Sequence, residues 1–212
     1  MAMGSHGLVG KQSLYDHTHR VPFFWMGPGI KAGGRPRGNV YLMDTKRTLC
    51  DLVGFDYCGP EPHDGSTGKS FAAVLRGEQE TVRSTVLGVL YMSTAMNRME
   101  PGIRSLTHEL DKHSRIKLIV YDWTNNPKNG IGSTAATQLF NLTSNPHEML
   151  DRDMAMVVSN AEYEALLKLM RSLLESELKA AKDHWHIRKG SFSWDGSEEQ
   201  RWQYRGGREK AP

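Results

Sequence analysis

The feature that most constrains the fold is an apolar stripe at helical spacing in the last third of the chain. Asn160 is predicted to cap this helix, whose apolar positions are Tyr163, Leu166, Leu167, Met170, Leu173, Leu174 and Leu178. A helix with one continuous apolar face must cover another apolar layer. Three runs rich in β-branched and aromatic residues precede it, at Thr85–Tyr91, Ile116–Tyr121 and Gln138–Leu142. The pattern predicts an antiparallel sheet covered by the helix.

The first third of the chain predicts a strand followed by helices. The short apolar run Val21–Met26 is closed by Gly27-Pro28-Gly29, which favours a buried strand ending in a turn. Val40–Val53 fits a helix stopped by Gly54, and Ser70–Leu75 fits one or two helical turns ended by Gly77. No period is visible in Met92–Ser114 or after His184.

Composition favours a globular protein and argues against two classes of partner. Hydrophobic residues make up 38% and charged residues 24% of the 212 residues, so a packed core is expected. The net charge is +3, and no Lys/Arg cluster exceeds about three residues, which is too weak for nucleic-acid binding. No run approaches the roughly 18 apolar residues of a membrane span, and Met1–Gly10 has no signal-peptide pattern.

The two cysteines do not decide the compartment. Cys50 and Cys58 do not form a disulfide framework, and Cys50 is predicted to be a small core residue. The expectation is a soluble protein, either cytoplasmic or periplasmic.

Three motif-like stretches are better explained without a functional site. Asp64–Ser70 imitates a phosphate-binding loop, but His63 replaces the required first glycine and no apolar strand precedes it. Cys58–Pro62 imitates Cys-x-Pro-x-Arg, but Pro62 replaces the arginine. The pair His184 and His186 has no third ligand nearby, so it does not predict a metal site.

A series of short motifs in a fixed order is more informative. Gly10-Lys11, Tyr15-Asp16, Arg20-Val21-Pro22 and Gly27-Pro28-Gly29 follow one another, and later come Met43-Asp44, Thr48–Gly54, His63–Glu78, Arg115–Tyr121 and Gln138–Glu148. In this order they resemble the formylglycine-dependent sulfatases of the arylsulfatase and choline-sulfatase type. The resemblance covers about residues 4 to 180.

The resemblance implies a fold and a division into domains. The implied fold is α/β and alkaline-phosphatase-like, and this chain would be its C-terminal part, with the small antiparallel sheet and its covering helix. Residues 1–80 would close the catalytic domain, 81–183 would form the sheet-and-helix subdomain, and 184–212 would be a tail, expected to be poorly ordered.

The resemblance also implies a mechanism and site residues. In this family a formylglycine hydrate attacks the sulfate while a divalent cation, usually Ca²⁺, polarises it. Lys11 matches the family lysine that contacts the sulfate, and His6 lies in a loop that can reach the substrate. Asp16 and Arg20 are expected to fix the strand entrance, and Tyr15 is expected to pack.

The family's nucleophile and metal aspartates would lie upstream of Met1. We therefore expect this chain alone to bind no cation and to hydrolyse no sulfate ester, and its partners to be the N-terminal sulfatase part and a sulfate-ester small molecule or carbohydrate. Apolar surface that should meet the N-terminal part would be left exposed.

Two alternatives remain open from the sequence. One is a non-catalytic anion-binding or interaction remnant, and the other is a related phosphoester or phosphonate hydrolase. An upstream reading frame that encodes Cys/Ser-x-Pro/Ala-x-Arg and the aspartate pairs would favour an enzyme over a remnant. The leaving group also stays open among aryl, choline and carbohydrate sulfates.

Overall fold

The computed structural model describes residues 2–11, 13–55, 68–90, 103–111, 113–121, 136–181, 183, 185–188 and 191–194. The chain divides into two compact units, one formed by residues 1–20 and 87–212 and the other by residues 21–86. None of the helices in the described residues is long and apolar enough to cross a lipid bilayer.

The first unit is built on a four-stranded sheet. Its strands are β3 (Thr85–Leu90), which begins just before the unit, β4 (Ile103–Glu109), β5 (Arg115–Tyr121) and β6 (Ala136–Asn141), in the order β3-β4-β5-β6. β5 pairs antiparallel with both β4 and β6. The predicted small antiparallel sheet is therefore confirmed.

Two helices follow the sheet, α4 (Met154–Val157) and α5 (Asn160–Ala180). The cap of α5 is Ser159, one residue before the predicted Asn160, because the Ser159 hydroxyl accepts the Glu162 amide at 3.3 Å. The predicted stripe packs on one face of the sheet through Leu167, Met170, Leu174 and Leu178, against Leu106, Ile116, Leu118, Val120 and Leu139. The prediction that α5 covers the sheet is confirmed.

The other face of the sheet is covered by the N-terminal segment, which includes the short helix α1 (Asp16–His19). Leu14 and Tyr15 pack there against Ile119 and Phe140, with Ile103 and Leu142 alongside. Both faces are buried, so β5 reads as a continuous run of buried residues, Ile116–Val120, with no alternation. This second layer places Leu14 and Tyr15, which follow Lys11 closely in sequence, against the sheet.

Strand β4 was not predicted, because its sequence is largely polar. Arg104 is fully buried and forms a bidentate ion pair with Asp183, with Nε and Nη2 at 2.8 and 3.1 Å from the carboxylate oxygens. The tail also contains a hairpin that the sequence did not indicate, β7 (Trp185–Arg188) paired with β8 (Ser191–Trp194).

The second unit contains α2 (Asp44–Val53) and α3 (Ala72–Arg76), which end at Gly54 and Gly77 in the left-handed conformation, as predicted. α2 begins at Asp44 and not at the predicted Val40, because the Asp44 carboxylate accepts the Tyr41 amide at 2.7 Å and closes a turn before the helix. Cys50 is buried as predicted, but its sulfur is in a disulfide.

The prediction that Val21–Met26 is a buried strand is wrong. The segment is extended, but within the described residues it joins no sheet. Phe23 and Trp25 pack on Phe71 at ring distances of 5.8 and 5.3 Å, while the alternate residues Phe24 and Met26 are 90% and 94% exposed. Only one side of the apolar run is therefore covered.

Candidate functional site

Lys11 lies directly after a short hairpin in the first unit. Its strands β1 (Ala2–Met3) and β2 (Val9–Gly10) pair antiparallel, with Ala2 opposite Gly10, and the 3-10 turn Ser5–Gly7 lies between them. The side chain of Lys11 is exposed at the open end of the hairpin, while His6 lies in the turn at the other end. The structure therefore does not bring Lys11 and His6 together.

The ring of His6 is directed at the protein. It stacks on Tyr15 with ring centroids 4.1 Å apart and 5° between the planes, and lies 5.2 Å from the ring of His17. Its Nε2 donates a hydrogen bond to the carbonyl oxygen of His147 at 3.2 Å. These contacts fix the hairpin turn, and the contact of His6 with substrate stays a prediction.

A buried cluster of three charges lies beneath the segment that follows Lys11. The ammonium of Lys117, in the middle of β5, is 2.7 Å from Asp16 Oδ1 and 2.7 Å from Glu148 Oε1. The side chains of Lys117 and Glu148 are only 3% and 1% exposed. Glu148 Oε2 also accepts the backbone amide of Asp16 at 2.6 Å. The cluster thus ties three distant parts of the chain together.

The electrostatics of the cluster follow from its burial and its charge balance. Two carboxylates face one ammonium, so one negative charge is in excess. Burial raises the pKa of Glu148, and the Lys117 ammonium opposes that rise. Beside it, the hydroxyls of Tyr15 and Tyr121 both donate to Gln138 Oε1, at 2.8 and 3.1 Å. Burial and the neighbouring Tyr15 raise the pKa of Tyr121, which keeps that hydroxyl a neutral donor.

One predicted role in this region agrees with the structure, and two residues were missed. Tyr15 is buried and packs against Phe140 as expected. Asp16 is ion-paired, but with Lys117 of β5 and not at the entrance of a strand at Val21–Met26, which is absent from the described residues. The buried ion pair of Lys117 with Glu148 was not predicted. A lysine inside an apolar strand such as Ile116–Tyr121 is the signal that points to a buried partner.

The described residues do not offer a set of ligands that fits a divalent cation. Among them, no three His, Cys, Asp or Glu side chains are grouped around a common point. In the first unit the carboxylates of Asp16 and Glu148 bind the Lys117 ammonium, and Glu148 also accepts a backbone amide. These positively polarised donors occupy the oxygens that a divalent cation would need as ligands.

Most of the dismissed motifs lie outside the described residues, including Cys58–Pro62 and His184. The stretch Asp64–Ser70 is described only from Gly68 onward. There the Lys69 amide donates to Asp44 Oδ1 at 2.8 Å, so this amide stabilises the start of α2.

Comparison with known proteins gives three curated relatives. Delta 4,5-hexuronate-2-O-sulfatase of Bacteroides thetaiotaomicron is 38% identical over 82 residues, which are 37% of this chain and 16% of the relative. Arylsulfatase K of Homo sapiens is 25% identical over 192 residues, 91% of this chain and 32% of the relative. N-acetylglucosamine-6-sulfatase of Homo sapiens is 32% identical over 100 residues, 47% and 17% respectively.

One of these matches covers most of this chain and two cover less than half of it, and all three cover only a part of the relative. The chain spans about a third or less of the length of the curated relatives it matches. No family model and no solved structure matches it. Three curated sulfatases, one of which matches over 91% of the chain, show that this chain resembles the sulfatase family.

Proposed function

We propose that this chain carries the sulfate-contacting lysine of a sulfuric ester hydrolase, and that Lys11 is that lysine. The observation that supports the role is its placement: an exposed ammonium on a segment that is pinned to the sheet by buried contacts. An ammonium is a compact charge with three donors, so it can bind sulfate oxygens and the charge that develops on the leaving oxygen.

We propose further that the active enzyme needs polypeptide beyond these residues, with the alkaline-phosphatase-like fold of the family. The formylglycine nucleophile and the divalent cation would belong to that additional part, where the cation would polarise the sulfate. The described residues supply no cation site, and what this chain contributes is the placement of Lys11.

Exposed apolar side chains in the second unit support this requirement. Phe24 and Met26 alternate along an unpaired extended segment, and Leu49 and Val53 are exposed one turn apart on α2. A run that is apolar on both sides is typical of a strand covered on both faces. We propose that the N-terminal sulfatase part covers these residues, because removing exposed apolar surface from water is favourable.

The names of two relatives give a first substrate class. They describe action on a hexuronate 2-O-sulfate and on an N-acetylglucosamine 6-sulfate. We therefore propose a sulfated carbohydrate as the substrate, with a chromogenic aryl sulfate as a convenient probe.

The test compares turnover of an aryl sulfate by the 212-residue chain with turnover by a form extended upstream and produced together with a formylglycine-generating enzyme. We expect activity only in the extended form. Lys11→Ala should lower kcat by about 100- to 1,000-fold, the usual effect of removing one group that stabilises charge in the transition state. Lys168→Ala, which removes an exposed lysine from α5, is the matched control and should leave kcat unchanged.

The other outcomes point to specific errors. Activity of the 212-residue chain alone would mean that the catalytic groups are among these residues. Turnover of a phosphate ester, but not of a sulfate ester, would favour a related phosphoester hydrolase. An extended form with no activity toward either ester would favour a non-catalytic anion-binding role.

A further inference from the structure

The chain before Lys11 and the chain after it are bound by two adjacent residues, His147 and Glu148. His6, five positions before Lys11, donates to the carbonyl oxygen of His147 at 3.2 Å. Asp16, five positions after Lys11, donates its amide to Glu148 Oε2 at 2.6 Å. The exposed lysine therefore lies on a loop whose two ends meet at the His147–Glu148 segment.

We propose that Glu148 is a positioning residue for Lys11, and that the His147–Glu148 segment fixes the lysine by binding the chain on both sides of it. The inference rests on the proposed role of Lys11 as the group that contacts the sulfate. Glu148 touches no substrate in this arrangement and acts only through the loop.

The two carboxylate oxygens of Glu148 have separate functions. Oε2 accepts the Asp16 amide, and Oε1 is paired with the Lys117 ammonium, which is also paired with the Asp16 side chain. Asp16 is thus bound at its backbone and at its side chain, and each contact leads back to a residue that is almost fully buried. Such a double attachment restricts rotation of the segment as well as its distance from the sheet.

The backbone at Glu148 shows that its surroundings hold this arrangement. Its φ of +55° lies in the left-handed region, which is uncommon for a residue other than glycine and costs on the order of 1 kcal/mol. Asn145 stabilises the turn, because its side-chain oxygen accepts the Met149 amide at 2.9 Å and its Nδ2 donates to the carbonyl oxygens of Met149 and Arg152. A strained residue that is buried and held from several sides is consistent with a fixed attachment point.

The first arm of the test measures hydrogen–deuterium exchange in the 212-residue chain. With Glu148→Ala, amides in the peptide that contains Lys11 should exchange about 10- to 100-fold faster, the factor expected when a hydrogen bond to a charged group is lost. Asp183→Asn is the matched control, because it also removes one carboxylate from a buried ion pair of the same unit. Equal exchange of this peptide in Glu148→Ala and Asp183→Asn would overturn the proposal.

Glu148→Gln keeps the test decisive if the alanine variant does not fold. The amide oxygen of glutamine can still accept the Asp16 amide, whereas the charge opposite Lys117 is lost. Exchange in the Lys11 peptide should therefore lie between wild type and Glu148→Ala, or above wild type if only the glutamine variant folds. No increase over the Asp183→Asn control would overturn the proposal.

The second arm uses the extended, active form and a double-mutant cycle. Glu148→Ala should lower kcat/KM about tenfold or more, but should have little further effect in the Lys11→Ala background, because Glu148 acts through Lys11. Additive losses would indicate a general structural role and overturn the inference. If the extended form has no sulfatase activity, the proposed function fails, while the exchange experiment still decides whether Glu148 fixes the loop.

Discussion

The start of α2 offers a sharp test of how the second unit is stabilised. Asp44 is fully buried, and its carboxylate accepts the Tyr41 amide at 2.7 Å, the Lys69 amide at 2.8 Å and Arg83 Nη2 at 3.0 Å, with Arg83 Nη1 also bound. The Arg83 guanidinium also lies over the Tyr41 ring at 4.6 Å. Four donors therefore depend on one side chain.

The expected cost of Asp44→Ala follows from these contacts. Removing one partner of a buried ion pair costs about 3–5 kcal/mol, and an orphaned amide adds about 1–3 kcal/mol unless water reaches it. The middle of the range for the ion pair alone gives about 4 kcal/mol as the loss in the free energy of unfolding. With a urea m-value of about 2 kcal/mol per M, the midpoint should fall by about 2 M.

The assay is urea unfolding followed by circular dichroism, together with hydrogen exchange of the α2 amides. The control is Asp51→Ala, which removes an exposed aspartate from the same helix. Faster exchange should appear in α2 and in the segment that begins at Lys69. A midpoint for Asp44→Ala equal to that of Asp51→Ala would refute the assignment of Asp44 as the organising residue of this unit.

Two further predictions concern the first unit. Leu174→Ala should lower the free energy of unfolding by about 2–5 kcal/mol, because the side chain is fully buried where α5 packs on the sheet. Leu169→Ala, at a partly exposed position of the same helix, should lower it much less, and the urea midpoints of the two variants measure the difference. The pKa of His17 is lowered below 6.5, first by desolvation and then by His6, the N-terminus and Lys117. At acidic pH the unfolded chain therefore binds more protons than the folded chain. Stability should therefore fall as the pH drops below about 6.5, and unfolding midpoints of His17→Gln should show a flatter dependence on pH; an unchanged slope would contradict this assignment.

The sequence predicted those elements whose burial follows a simple period. Helix α5 and its sheet are examples, because residues of the apolar stripe from Tyr163 to Leu178 and of the apolar runs at β5 and β6 pack together in the core. The ends of α2 and α3 were predictable for another reason, since Gly54 and Gly77 adopt the left-handed backbone that glycine accepts most readily.

The misses have a common physical origin in long-range pairing. β4 could not be predicted because Arg104 is fully buried, and its burial is stabilised by the carboxylate of Asp183, which is far away in sequence. The cluster around Lys117 was missed for the same reason, as its partners Asp16 and Glu148 are far away in sequence. In the candidate site, Lys11 was predicted from the motifs that surround it in sequence. The contact between Asp16 and Glu148, which we propose positions Lys11, was found only in the structure.

The pairing of Arg104 with Asp183 also bears on how the chain is synthesised. The two residues are 79 positions apart, so the ion pair cannot form until α5 and the residues up to Asp183 have been translated. At about 5–20 residues per second, this interval lasts on the order of several seconds. During that time the Arg104 guanidinium lacks the carboxylate that it pairs with in the folded unit, so β4 reaches its final environment only after Asp183 has been translated.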